Sequence, residues 1–133
     1  MRSKGLPSFV ADNEWLARFV LFSRWVRADL TIKPDAFIPH PYPDLSVTRH
    51  LGLSGSRLWE VGQEIAASRP AELLGRADIE GSSVRSAALE VVPEPTENNP
   101  NHANVVSWPP NKAEQKIIAQ KLAAAAQYKG RDT

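Results

Sequence analysis

The chain lacks cysteine altogether and contains one methionine in 133 residues. Without cysteine it can form no disulfide framework, no thiolate metal site and no cysteine nucleophile. A lack of cysteine fits a reducing compartment, because disulfides form and persist mainly in oxidising ones. The sequence therefore predicts a cytoplasmic protein.

Long apolar runs are absent too. No window approaches the ~20 apolar residues that a membrane helix needs. Residues 1–20 mix charged and apolar side chains and lack the continuous apolar stretch of a signal peptide. We therefore expect no membrane partner and no export by that route.

An excess of charge of one sign is also missing, since 16 basic and 15 acidic residues give a net charge of +1. Nucleic-acid-binding domains usually carry a concentrated basic stripe. Only the basic residues near the C-terminus suggest one here, and a solvated helix face explains them as well. Nucleic acid therefore remains an alternative partner. The basic residues that suggest it are Lys112, Lys116, Lys121, Lys129 and Arg131.

The composition itself is that of an ordinary globular protein, with 42% apolar and 23% charged residues. A chain of this length can surround one hydrophobic core. We predict a single domain over residues 1–133, with flexible ends at 1–12 and 129–133. The expected fold class is α+β, with about five short strands in a mixed or antiparallel sheet packed by two main helices. The helices are expected at about 54–69 and 112–128.

Apolar periodicity predicts the individual strands. The segment 19–26 is rich in β-branched and aromatic residues and apolar on both alternating faces, which is typical of a central strand. The remaining strands are expected at 45–50, 73–80, 89–92 and 103–108.

Two capping residues mark the expected helices. Ser54 precedes the first, and Asn111 stands three residues before Glu114 at the start of the second. The polar stretch 94–101 is expected to be an exposed loop, and 81–89 is either a short helix or a loop.

The candidate catalytic residues are two histidines and two arginines. His50 and His102 can act as general base and acid, while Arg24 or Arg76, or else Arg49, neutralises a phosphate, as phosphoryl transfer requires. This set makes a small hydrolase or nuclease the alternative function.

Structural explanations stand beside these roles. Arg76 with Asp78 and Glu80 is also typical of a charged outer strand face, and Arg24 in mid-strand is typical of an ion pair. His40, taken with the other histidines, could form a zinc or nickel site, but the HxxxH and HxH spacings are missing. We predict no metal and no cofactor.

The candidate binding residues are Trp108, Asn101, Tyr42 and Arg49. The stretch 98–110 combines a turn, a strand and a tryptophan, which suits a binding edge. Tryptophan and tyrosine offer large contact areas at a binding surface. Burial in the core is the alternative for the tryptophans.

No GxSxG elbow, dinucleotide fingerprint or P-loop occurs in the chain. A well-patterned core without a spaced catalytic motif favours a small accessory or protein-interaction module that is not an enzyme. Its expected partner is another protein or a second copy of the chain. The histidine-based hydrolase or nuclease remains the alternative.

Overall fold

A computed structural model describes residues 6–39 and 41–131 of the chain. The described residues form six strands, which are β1 (Trp15–Val20), β2 (Leu45–Arg49), β3 (Gly75–Glu80), β4 (Glu90–Pro93), β5 (His102–Val106) and β6 (Gln127–Gly130). The helices are α1 (Gly55–Ser68), α2 (Gly81–Ser86) and α3 (Lys112–Ala125), and short 3₁₀ turns lie at Ser23–Trp25 and Pro34–Phe37.

The strands build one antiparallel sheet in the order β4-β5-β2-β1-β3-β6. The predicted α+β class is therefore confirmed, as are the two substantial helices, and the sheet has one strand more than expected. Within the described part of the chain, no helix combines the length and the apolar content that crossing a membrane requires. The ends that were predicted to be flexible, 1–12 and 129–133, lie partly outside the described residues, which exclude 1–5 and 132–133.

The prediction of a strand at 19–26 is wrong in its bounds. β1 begins earlier, at Trp15, and ends at Val20, whose carbonyl accepts from the Leu74 amide. The chain then leaves the sheet in a 3₁₀ turn, where the rings of Phe22 and Trp25 meet edge to face with 5.0 Å between centroids. These aromatic side chains pack on each other rather than continuing the sheet, so their β propensity was misleading.

The C-terminal helix also ends earlier than predicted. Ala126 adopts an extended conformation, and β6 then pairs with β3, with Tyr128 opposite Ala77. The Tyr128 hydroxyl donates a hydrogen bond to the Leu74 carbonyl at 3.2 Å. Strand pairing and this side-chain contact outweigh the local helix preference of the alanine run.

One face of the sheet is covered by α2, α3 and the second 3₁₀ turn. The residues that fill this layer are nearly all apolar and come from every part of the chain. They include Val10, Leu16, Val20, Phe37, Leu45, Val47, Ala77, Ile79, Val84, Val91, Val105, Ala119 and Leu122. This layer is the larger of the two hydrophobic clusters.

The opposite face is covered only in part. α1 packs over β1 through Leu58, Val61 and Ala66, which meet Ala17 and Phe19. The helix approaches closely because Gly62 has no side chain, and a Cβ there would lie 2.5 Å from a ring carbon of Phe19.

Beside α1, the same face carries a polar strip. Thr48 lies opposite His102, and Ser46 opposite Asn104, on the paired strands β2 and β5. Cross-strand partners share a face of the sheet. A cleft therefore lies between α1 and the β2–β5 half of the sheet.

Candidate functional site

The sheet is incomplete between its two middle strands. β1 and β2 pair at Leu16 with Arg49 and at Ala17 with Thr48, and the His50 amide donates to the Trp15 carbonyl at 3.0 Å. β1 continues past Ala17, and β2 has already begun before Thr48. The strands therefore diverge, and we call the gap between residues 18–20 and 45–47 the sheet split.

Arg18 occupies the sheet split. Its Nε donates to the Ala36 carbonyl at 2.8 Å and its Nη1 to the Ser46 carbonyl at 3.2 Å. The guanidinium carbon lies 5.3 Å from the centroid of the Trp25 ring, a cation–π distance. The remaining terminal nitrogen, Nη2, has no hydrogen-bond partner among the described residues. One donor of a well-anchored guanidinium is thus available to a ligand.

No carboxylate of the described residues forms an ion pair with Arg18. Burial lowers the pKa of Arg18 to about 10, and the nearby positive charge of Arg69 contributes to the lowering. The guanidinium is still charged at neutral pH. The Arg18 side chain is half-buried. A partly desolvated cation is unfavourable unless an opposite charge compensates it, and the charge that perturbs Arg18, that of Arg69, is another cation.

A recess of about 60 Å³ surrounds this group. Its polar lining comes from Arg18, Arg69, Ser46, Thr48 and His102, and the rest of its wall is mostly apolar, with Phe19, Leu21, Phe22, Trp25 and Ile65. The recess adjoins a groove of about 700 Å³ between α1 and the loop 96–99. Ser46, Ile65, Arg69 and His102 line both spaces. We call the recess and the groove together the cleft.

His102 is the histidine of the cleft. Its Nδ1 lies 2.8 Å from the Glu94 carbonyl oxygen. A carbonyl can only accept, so Nδ1 carries the proton and the neutral ring offers Nε2 as an acceptor. The cleft thus holds both donors and an acceptor.

His50 belongs to a different cluster. Its Nε2 lies 3.1 Å from Asp78 Oδ1, and Arg76 Nε donates to both Asp78 oxygens at 3.0 Å. The Trp59 ring lies 4.6 Å from the Arg76 guanidinium and 5.4 Å from that of Arg131. The structure therefore places His50 with Arg76, in contact with α1.

Arg76 and Asp78 are buried, with 9% and 3% of their surface exposed. The expected charged outer strand face is wrong for these two residues, because Trp59 of α1 lies against Arg76, and Asp78 is enclosed by Arg76 and His50. Sequence alternation shows that they share a face but not that a helix lies over it.

The two candidate catalytic histidines have different neighbours. The His50 ring contacts Asp78 on β3, and the His102 ring contacts Glu94, which directly follows β4. In the sheet order these partners lie on opposite sides of β2. His102 lines the cleft, whereas His50 is not among its lining residues.

Arg24 lies apart from both clusters. It is exposed in the first 3₁₀ turn, with its guanidinium carbon 4.6 Å from the Phe22 ring centroid. The expected mid-strand ion pair is wrong, because the strand ends before this residue. His40 lies outside the described residues. Within those residues, no group of three or more histidine or acidic side chains is placed to hold a metal ion.

Arg49 is a structural residue. It forms a two-point ion pair with Glu14 at 2.8 and 2.7 Å and donates to the carbonyls of Pro7 and Phe9. Its side chain is only 2% exposed. These bonds hold the N-terminal segment against the sheet, and the guanidinium faces no cleft.

Asn101 is likewise committed to the fold. Its Nδ2 donates to the carbonyls of Arg49 and Leu51 at 2.7 and 2.8 Å. Asn99 Nδ2 donates to the Thr48 hydroxyl at 3.1 Å. Both asparagines are buried, so the expectation of an exposed loop at 94–101 is wrong at these two positions. Their amides fix one wall of the cleft.

The two remaining candidate binding residues do not line the cleft. Tyr42 is 66% exposed in the loop before β2. Trp108 is half-buried against the larger cluster, and its Nε1 donates to the Val105 carbonyl at 3.0 Å. The cleft residues that sequence reasoning missed are Arg18 and Arg69. A charged residue within an apolar strand was the available signal for Arg18.

Three comparisons with known proteins, against family models, curated proteins and solved structures, find no match.

Proposed function

We propose that this domain is a non-catalytic binding module whose ligand is a small molecule held in the cleft. The observation that carries the proposal is the convergence of Arg18, Arg69 and His102 on one partly apolar cleft. Ligand sites are typically concave, mostly apolar and equipped with a few well-placed polar groups. The groove of about 700 Å³ lies within the usual size range for such sites.

The wall opposite α1 is well anchored. Asn99 and Asn101 bind β2 through their side-chain amides. Thr96 accepts from the Asn99 amide at 2.9 Å and closes the turn. A cleft whose walls are already preorganised loses little conformational entropy when a ligand binds.

The polar groups of the cleft favour binding over catalysis. General acid–base chemistry needs proton donors and acceptors that reach one reacting group. His102 lines the cleft, but His50, the other half of the expected acid–base pair, does not. Glu64, in the outer groove, is paired with Arg57 at 3.4 Å. These contacts support a role in holding a ligand.

The test of this proposal is a small-fragment screen monitored by ¹H–¹⁵N NMR. We expect the amides of Ser46, Arg69 and His102 to shift most. Ser68→Trp should block binding, because Ser68 lines the groove on exposed α1 surface. Ala67→Trp is the matched control, since Ala67 is exposed and next to it but does not line the groove. Scattered shifts, or equal binding by both variants, would contradict the proposal.

A hydrolase remains a second candidate because of the contact between His50 and Asp78. A carboxylate that orients an imidazole is a recurring feature of general-base sites. If it serves this purpose here, the protein hydrolyses p-nitrophenyl phosphate or bis(p-nitrophenyl) phosphate, and Asp78→Asn and His50→Gln each abolish turnover. If the turnover of the wild type does not exceed that of the two variants, this candidate is ruled out for phosphate esters.

A further inference from the structure

We infer that the sheet split is an oxyanion site, in which Arg18 and Arg69 hold the carboxylate or phosphate group of the ligand. The inference rests on the proposed function of the cleft and deepens it by naming the ligand's charge and the residues that bind it. The rest of the ligand would lie in the adjoining groove.

The first argument is the missing counter-charge. The two arginines that are buried in the sheet each have a carboxylate partner, Glu14 for Arg49 and Asp78 for Arg76. Arg18 has two backbone carbonyls and an indole ring instead. Carbonyls orient a guanidinium but supply no net negative charge. A bound oxyanion would supply it.

The second argument is the sign of the surrounding charge. Arg69, at the C-terminal end of α1, lines the recess together with Arg18. Among the residues that the structure describes, no acidic side chain lines the recess, whereas Glu64 and Glu97 line the outer groove. The C-terminus of a helix favours a cation, which explains Arg69 in part. It does not explain why two cations share one recess.

The third argument is size. A buried water needs about 10–15 Å³ of cavity measured with a water-sized probe, and the recess provides about 60 Å³. It therefore accepts a group of a few heavy atoms, as a carboxylate or a phosphate is, but not a whole metabolite. The apolar side chains Phe22, Trp25 and Ile65 line the recess beside that group, and apolar surroundings strengthen charge-assisted hydrogen bonds.

The donors match this chemistry. Arg18 Nη2 and the Ser46 hydroxyl can both donate, and Arg69 is exposed and can approach from the helix. The recess thus offers an oxyanion donors from two cations and one hydroxyl.

The experiment compares three probes of similar shape: benzoate, phenyl phosphate and neutral benzamide. Binding is followed by NMR shifts and by tryptophan fluorescence, to which Trp25 of the recess contributes. We expect benzoate or phenyl phosphate to bind at least roughly tenfold more tightly than benzamide, as one charge-assisted contact implies. The stronger of the two identifies carboxylate or phosphate as the preferred group.

Two variants assign the effect to residues. Arg69→Gln should weaken the preferred anion roughly tenfold and leave benzamide unchanged, because one charge-assisted contact is lost. Lys116→Gln is the matched control, since it removes the same charge from an exposed position of α3. Arg18→Met should abolish the preference for anions. Arg69→Gln keeps the test valid if Arg18→Met fails to fold.

The outcomes separate this inference from the proposed function. Equal binding of benzamide and the anions would overturn the oxyanion site, while a ligand cleft would stand. Unchanged anion binding by Arg69→Gln would also overturn it as stated. If the fragment screen and all three probes give no shift in the cleft, the proposed function fails with it.

Discussion

Two arginines in neighbouring strands of the sheet are held in opposite ways. Arg49, at the end of β2, meets the Glu14 carboxylate at two points. Arg18, in the sheet split, meets the carbonyls of Ala36 and Ser46 and no carboxylate of the described residues. By register and alternation both side chains leave the same face of the sheet. The difference teaches that a buried arginine with its own carboxylate is structural, whereas a half-buried arginine without one is available to a ligand.

The largest effect is expected at Arg49. Arg49→Met leaves the Glu14 carboxylate buried without its partner and should lower the free energy of unfolding by about 3–5 kcal/mol. Chemical denaturation measures this loss. The double variant Arg49→Met with Glu14→Gln should recover part of it, because no buried charge is then left unpaired. A loss no greater than that of an average surface substitution would show that the pair is not structural.

Acid should weaken the ion pair between Arg49 and Glu14. Burial raises the pKa of Glu14, but hydrogen bonds from Arg49 and the Ala11 amide, with the charges of Arg49 and Arg85, lower it below its usual 4.5. Folding therefore favours the ionised carboxylate. That stabilisation is complete above the unfolded-state pKa and is lost as the pH falls through the folded-state value.

The check is the free energy of unfolding from pH 7 to pH 3. We expect it to fall more steeply below about pH 4.5 in the wild type than in Glu14→Gln, which lacks the titrating group. Arg18→Met should keep the wild-type slope, because no carboxylate in the described part of the chain is paired with Arg18. Parallel curves for wild type and Glu14→Gln would contradict the assigned pKa shift.

A smaller loss is expected at Arg18 itself. Arg18→Met removes donors from two carbonyls but leaves no charged partner behind, so its cost should be about 1–3 kcal/mol. Denaturation under the conditions used for Arg49→Met makes the two losses directly comparable. Equal losses would erase the distinction between the structural arginine and the available one.

The smallest effect is expected at Arg57, which pairs with Glu60 and Glu64 on the exposed surface of α1. Exposed ion pairs contribute little, because solvent screens them. Arg57→Gln should leave the melting temperature unchanged within error at physiological salt. A loss comparable to that of Arg18→Met would mean that ion pairing on the surface matters more in this fold than burial.

The parts of the fold that follow from local rules were predictable. Ser54 accepts from the Arg57 amide at 3.1 Å, and Asn111 from the Glu114 amide at 3.1 Å. Capping of this kind needs only residues within one turn of the chain. The alternation of side chains at 73–80 likewise predicted β3, because successive side chains of a strand point to opposite faces.

The parts decided by distant contacts were not predictable. β6 has a single aromatic residue, Tyr128, and becomes a strand by pairing with β3. The sheet split depends on where β1 and β2 cease to pair, which no local pattern encodes. Arg18 acquires its role only because the chain brings Trp25 and Ala36, which lie in the two later 3₁₀ turns, next to its side chain.

The most direct test of an available cation in the sheet split is ligand-dependent stability. The wild type and Arg18→Met are unfolded chemically with and without the anion that binds more tightly, at about ten times its Kd. We expect the wild type to gain about 1.4 kcal/mol and the variant to gain nothing. An equal gain in both proteins, or a gain from neutral benzamide as large as that from the anion, would contradict a binding role for Arg18.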